Sequence, residues 1–598
     1  MGRLHNLMLL LACFFSTLLL SQVMSAAAGM TVKVSTTPIF PKIPRAQTNK
    51  DFQVLLRIEA PPPVDLKGRV PIDLVVVLDV GGGMSLEPVK KATKFAIRQL
   101  SDDDSLAILG PPMSREIIPK FVSIHGSRRI AEKKVDELEG RRFAHPARSS
   151  LDEALKMLEE QPASSSVGRA KFIVLVTDRE DITRFNSDMP EWFTAALAKY
   201  PVHAFGLGAS HDAAALRLIA QRSQGTYSFL DDGNVDKVAG ALALCLGGLK
   251  SVTAVGARVV LKAASGSGVR IDRISSGGYA SSISQVDRAS GEIAIGALYA
   301  GEVKSFVVHL DVPAAPPLEA LRTVEGVCCD QQQLLVASLD GQLYTSGVVD
   351  VDDAAPGGPI QDVLVVERPP AAVLPKVPAA IVVNHIFQFR VLEMVDSFIS
   401  DEILRRTPVT GRKDVDVDLG TKLLARWEKF VLEHQFWVGL DLGSLDGEIT
   451  AVANSLRKQH VVGVSSSTAA YIFSWMSSYK MQRPTAMGSP AKVVGVFVTL
   501  EVHLTLQVAI TAESGGGGND GECHDECEYS CVEQLPPAPP LLVASGHDDD
   551  SYRFNAAYEG VISLDDINQF MIKIYQGMVK ANKLKQCHLM NQQPRVVA

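Results

Sequence analysis

The sequence predicts an α/β fold, a parallel sheet covered by helices on both faces, followed by a β-sandwich and a helical carboxyl-terminal region. Three observations carry that expectation. The runs Ile72-Asp73-Leu74-Val75-Val76-Val77-Leu78-Asp79 and Lys171-Phe172-Ile173-Val174-Leu175-Val176-Thr177-Asp178 are apolar on both faces, as strands in the middle of a covered sheet must be. Strand-like and helix-like segments alternate from Val70 to about Leu249. Past Ser251 the apolar period drops to two, the mark of antiparallel strands with one buried face.

Each element follows from its spacing. After Asp79, the residues Val89, Ala92, Ala96 and Leu100 fall on one helical face. Leu106-Ala107-Ile108-Leu109 is a short strand after the polar turn Asp102-Asp103-Asp104, and Leu151, Ala154, Leu155 and Leu158 mark a helix. Val202 to Gly208 is a further strand, Leu216 to Ile219 lies in a helix, Gly225 to Phe229 is expected at the sheet edge, and a helix runs near Val235 to Leu246. Strands separated by Gly/Ser turns then follow at Ala257–Lys262, Val269–Ile274, Glu292–Ile295 and Val303–Val308. Phe387–Phe398, Leu423–Leu432 and Ala469–Met481 read as helices. Val493–Thr511 reads as a core helix or strand, because Glu501, His503 and Gln507 interrupt its apolar run. The resulting division is a signal-like segment 1–29, an amino-terminal strand region 30–69, the α/β domain 70–250, the sandwich 251–368, a helical domain 380–512, a linker 513–550 and a terminal helix and tail 551–598.

Composition narrows the function. A net charge of −8 over 598 residues leaves no basic footprint for nucleic acid. No G-x-S-x-G, H-E-x-x-H or P-loop is present, so no catalytic residue, cofactor site or small-molecule substrate is assigned and no enzymatic activity is expected. Gly206-Leu207-Gly208 follows a strand, but His211 stands where a dinucleotide loop needs its third glycine. His203, inside an apolar strand, reads as a core histidine. Cys523, Cys527 and Cys531 do not have the spacing of common zinc modules and read as free thiols in acidic linker.

Signals for compartment conflict. Arg3, the apolar run Leu7–Leu20 and Ser25-Ala26-Ala27-Ala28-Gly29 have the layout of a secretory signal peptide, and the run is short for a membrane span. That predicts the secretory pathway or the extracellular space. Yet the cysteines beyond it are sparse and odd in number, and no Asn-x-Ser/Thr acceptor occurs. A start at Met30 would instead make the protein cytoplasmic.

The segment Asp79-Val80-Gly81-Gly82-Gly83-Met84 resembles the metal-site loop of von Willebrand factor A (VWA) domains, whose pattern is Asp-x-Ser-x-Ser. Arg148-Ser149-Ser150-Leu151 is similar to the family's Gly-Thr-Asn-Ile, and Thr177-Asp178-Arg179-Glu180-Asp181 to its Ser-Asp-Gly-x-Asp. Cys245–Leu249, Gly291–Gly296 with Leu298-Tyr299-Ala300, and Tyr471–Tyr479 with Met481-Gln482-Arg483 and Met487–Pro490 resemble plant A-domain proteins, some of which carry a RING finger and act as ubiquitin ligases. Cys13 is the only cysteine before Cys245, so ligase activity is not carried over. Association with RING-bearing relatives is the corresponding expectation.

The resemblance implies a Rossmann-like A domain with a metal-ion-dependent adhesion site. A divalent cation needs about six oxygens. With Gly81 and Gly83 in place of both loop serines, Asp79, Ser149 and Asp178 remain as candidate metal ligands. Binding of Mg²⁺ or Mn²⁺ is therefore expected to be weak at most, with no cofactor required. The alternative for Asp79 and Asp178 is that they cap the strand ends and take hydrogen bonds from glycine-loop amides. The functional expectation is a non-enzymatic adaptor that binds a protein partner at the loop face, through side chains such as Met84, Arg148 and Arg179. The runners-up are an accessory or inactive paralogue in a ubiquitin-ligase assembly and a secreted adhesion protein.

Overall fold

The computed structural model describes residues 31–62, 69–81, 85–110, 118–138, 147–162, 168–179, 190–315, 331–345, 348–349, 360–369, 377–404, 418–437, 439–457 and 466–514. The signal-like segment, the Cys523–Cys531 cluster and the expected terminal helix lie outside them. Two strands open the chain, β1 (Lys33–Pro38) and β2 (Asn49–Glu59). The α/β domain supplies β3 (Ile72–Asp79), β4 (Ser105–Leu109), β5 (Ile118–Ser123), β6 (Ala170–Thr177), β7 (Val202–Leu207) and β8 (Tyr227–Leu230). Antiparallel strands follow: β9 (Val252–Ala263), β10 (Arg270–Ser275), β11 (Ala280–Ile283), β12 (Ser290–Tyr299), β13 (Val303–Val312), β14 (Gln331–Thr345), β15 (Val348–Val349) and β16 (Gln361–Glu367). Helices Ala380–Phe398, Leu419–His434, Leu445–Arg457 and Ser466–Met481 precede the two-residue β17 (Met487–Gly488) and a helix Leu500–Ser514.

The central sheet has the order β17-β8-β7-β6-β3-β4-β5 and is parallel except where β5 runs against β4. Every residue of β3 is buried, and its side chains divide between two cores. Leu74, Val76 and Leu78 pack with Val89 and Ala92 of the helix Leu86–Gln99, while Val75 and Val77 pack with Leu151 and Leu155 of the helix Ala147–Glu159. That two-faced burial is why the strand carries no polar alternation.

The sandwich is discontinuous in sequence. One sheet is β1-β2-β13-β10, with Leu56 opposite Phe306, and the other is β11-β12-β9-β14, with β15 and β16 pairing the far side of β14. Its core joins Val54, Leu56 and Phe306 from the first sheet to Val259, Leu261 and Ile293 from the second. The amino-terminal strands therefore belong to the same layer as β13, and the α/β domain is an insertion between β2 and β9.

One expectation is corrected. The sequence places Gly225–Phe229 at the sheet edge, but β17 lies outside β8 in parallel. Phe229 N donates to Ala486 O at 2.9 Å, Asp231 N to Gly488 O at 3.0 Å, and Tyr227 N to Ser477 Oγ at 2.8 Å. Bare strand-edge amides are a liability, and the carboxyl-terminal segment satisfies them.

Three regions meet at a buried charge cluster. Arg483 Nε lies 2.8 Å from Glu302 Oε1, and Lys304 Nζ lies 3.0 Å from the same oxygen. Arg483 also donates to Ala297 O at 2.7 Å and stacks 4.0 Å over the Tyr299 ring, while Lys304 donates to Met481 O and Gln482 O at 3.1 and 3.0 Å. Burial alone would raise the Glu302 carboxyl, but Arg483 and Lys304 hold it below its ordinary range. Burial pushes the Lys304 ammonium down to about 7 despite Glu302 beside it. One carboxylate here serves two buried cations. Glu302→Ala is expected to destabilise the fold by about 3–5 kcal/mol in denaturant titration, because it strands both cations. Arg483→Ala should cost less, since Lys304 remains on Glu302.

Candidate functional site

The site lies at the carboxyl ends of β3 and β6, where ligands of open α/β sheets gather. Asp79 is the last residue of β3 and pairs in register with Thr177, the last of β6. The two strands run side by side, so Asp79 and Asp178 come to one place. Asp79 is 1% exposed. Its Oδ2 accepts from Thr177 Oγ1 at 3.2 Å, and its Oδ1 faces Arg179 Nε at 3.1 Å. Asp178 Oδ1 accepts from Gly81 N at 2.8 Å, which ties the glycine loop to the end of β6. The Arg179 amide donates to Thr177 Oγ1 at 3.2 Å, and Asp212 N donates to Arg179 O at 2.9 Å. Burial pushes the Asp79 carboxyl up to about 6, outweighing the opposing pull of Arg179 and the Thr177 hydrogen bond.

Of the five residues the sequence proposes for a cation site, Asp79, Gly81 and Asp178 are brought together. Gly83 lies outside the described residues, as does the side chain of Ser149, which belongs to the helix Ala147–Glu159. Met84 and the Arg148 side chain, proposed for recognition, also lie outside them. Arg179 was expected to face a partner. Its side chain is only 17% exposed and lies against Asp79, because a carboxylate buried at a strand end draws the nearest cation to it. Thr177 and Arg179 were missed as partners of Asp79. The available signal was the register of two adjacent strands that each end beside an aspartate. Among the described residues, no group of three or more His, Cys, Asp or Glu is placed to hold a metal.

The neighbouring strand ends are structural. Gly206 is required because a Cβ there would lie 2.2 Å from the His211 ring, and Gly208 has φ +70°. His211 Nδ1–H donates to Gly208 O at 2.7 Å, leaving Nε2 to accept from the Tyr227 hydroxyl at 2.5 Å. The glycine pair thus fits a histidine ring. His203 is buried on β7, and its Nδ1 shares a hydrogen bond with Thr226 Oγ1 at 2.8 Å.

The chain carries a von Willebrand factor type A domain: residues 72–229 match that family. It is 29% identical over 280 residues to the E3 ubiquitin-protein ligase WAV3 of Arabidopsis thaliana, across 44% of this chain and 35% of that protein. It is 29% identical over 168 residues to the uncharacterized protein sll0103 of Synechocystis, across 27% of this chain and 39% of that one. The match thus spans little more than a third of either relative. A solved structure, von Willebrand factor type A from Catenulispora acidiphila, aligns with TM-score 0.47 at 14% identity, covering 71% of this chain and 89% of that one.

His203 and His211 give the domain a pH dependence. Burial pushes His203 down to about 3 and His211 down to about 4, from an ordinary value of 6.5. A lowered histidine contributes stability that is present above pH 6.5 and lost as pH falls below it, by up to about 1.4 kcal/mol per unit for each ring. Asp79 works the other way, since a raised carboxyl contributes stability that is lost as pH rises through about 6. Thermal midpoints measured between pH 7 and 5 are expected to fall, and His203→Gln to make the fall shallower. An unchanged slope in that variant would contradict a neutral buried His203.

Proposed function

We propose that the protein is a non-enzymatic adaptor whose A domain binds a protein partner at the face formed by the carboxyl ends of β3 and β6, through a metal-ion-dependent adhesion site that has degenerated. An A domain supports a protein-interaction role, and the observation that carries the finer reading is the state of its two aspartates. Asp79 and Asp178 are engaged by Thr177, Arg179 and the Gly81 amide, and the first loop serine of the family pattern is Gly81. Recognition then rests on loop shape and side chains more than on an ion.

The non-enzymatic reading is supported by the settings of Cys245 and of the two histidines beside the strand ends. Burial pushes the Cys245 thiol up to about 12, which keeps it from acting as a nucleophile at neutral pH. His203 and His211 are held in core hydrogen bonds. A second reading, an accessory subunit in a ubiquitin-ligase assembly, is favoured by the 280-residue similarity to WAV3. The two readings are compatible, because an adaptor can serve a ligase held by another chain.

Affinity capture with the full chain tests the adaptor. Asp178→Lys is expected to abolish partner recovery, while Lys134→Glu, a half-exposed position on the helix Arg128–Asp136, leaves it intact. Recovery that survives Asp178→Lys would place the partner elsewhere. Co-purification of a RING-bearing relative, lost in the same variant, would select the ligase-assembly form. Amino-terminal sequencing of the mature protein separates the compartments: a start at a free amine within residues 26–30 supports secretion, and an acetylated start at Met30 supports translation from that residue in the cytoplasm.

A further inference from the structure

We infer that Arg179 is a tethered cation that takes the place of the divalent ion in this A domain, so that the site excludes Mg²⁺ and Mn²⁺ and gains affinity for them when Arg179 is removed. The inference deepens the adaptor reading, because it concerns the same face, but it needs no partner to be tested.

Two departures from the family pattern fall together. The loop serines are glycines, which removes neutral oxygen donors. In Thr177-Asp178-Arg179 the third residue, where the pattern has glycine, is an arginine. A glycine there would carry no side chain. Here the guanidinium lies beside the buried aspartate, with Nε 3.1 Å from Asp79 Oδ1 and the side chain largely buried.

Among the described residues, few oxygens are left for an ion. Asp79 Oδ2 accepts from Thr177 and Asp178 Oδ1 from the Gly81 amide, while Asp79 Oδ1, which makes no hydrogen bond, has the Arg179 guanidinium 3.1 Å away. A hard dication needs about six oxygens. An ion bound to Asp79 Oδ1 would also sit within a few ångströms of the Arg179 guanidinium, in a site where water screens little. Loss of hydroxyl donors alone would weaken metal binding. An arginine on the carboxylate replaces the charge as well, so Asp79 is neutralised without an ion and the strand ends hold their arrangement in a chelator.

Removing the guanidinium should reverse the exclusion. A Cβ at Gly81 would meet Asp178 Oδ1 at 3.7 Å, ordinary contact, so Gly81→Ser fits and restores one hydroxyl. Calorimetric titration of the full chain with Mn²⁺ and Mg²⁺, together with thermal midpoints in metal and in chelator, tests this. For the natural chain no saturable binding is expected up to millimolar metal, with the same midpoint in both conditions. Arg179→Gly is expected to bind Mn²⁺ about tenfold or more tightly than the natural chain, and Gly81→Ser/Arg179→Gly more tightly still. Gly81→Ser alone should gain nothing, because the guanidinium remains. Arg179→Gln, which keeps the length but not the charge, substitutes if the glycine variant fails to fold.

Micromolar Mn²⁺ binding by the natural chain, binding by Gly81→Ser alone, or folded Arg179→Gly and Arg179→Gln chains that both ignore the metal would each overturn the inference. Partner capture that fails while the titration behaves as expected would sink the adaptor and leave the tethered cation standing.

Discussion

A carboxylate buried at the end of a central strand must be neutralised or hydrogen-bonded, and the site in this chain is organised around that constraint. Asp79 closes β3 at 1% exposure. The neighbouring strand answers with Thr177 and Arg179, and Asp178, between them in sequence, reaches the other way to hold the Gly81 amide. One register between β3 and β6 thus fixes two carboxylates, a hydroxyl, a guanidinium and the start of a glycine loop. The register itself is held by the double-sided burial of both strands, so the chemistry of the site rests on the most deeply packed part of the molecule.

The A domain does not stand apart from the rest of the chain. It is inserted into a sandwich whose β1 and β2 precede it and whose β13 follows it, and its sheet is extended by β17 from beyond the helical region. Glu302, Arg483 and Lys304 fasten these parts to one another through a single buried carboxylate. Such a joint is specific more than strong, since the desolvation of three charges offsets much of their attraction. It fixes where the segment 477–490 lies, and that segment covers the amides of β8.

Much of the architecture was legible because burial on two faces and period-two alternation leave clear marks. β3, β6 and β7 and the sandwich strands β9, β10, β12 and β13 coincide with the runs that predict them, as do the helices within 380–398, 419–434 and 466–481. Other elements leave too little pattern. The helix Arg128–Asp136 buries only Ala131 and Val135, and β17 has two residues and takes its identity from the edge it covers. That β1 and β2 share a sheet with β13 is a long-range pairing that local sequence does not encode. At the site, the aspartates and glycines were readable from the motif. The turn of Arg179 onto Asp79 was not, because a charged residue in a loop reads as a surface group until the buried carboxylate beside it is placed.

The central claim, that a guanidinium stands where the family holds an ion, is tested most directly by anomalous diffraction from crystals of the natural chain soaked in Mn²⁺. The account predicts Arg179 on Asp79 and no manganese peak bonded to Asp79 or Asp178. A peak coordinated by both carboxylates, with Arg179 swung away, would contradict it.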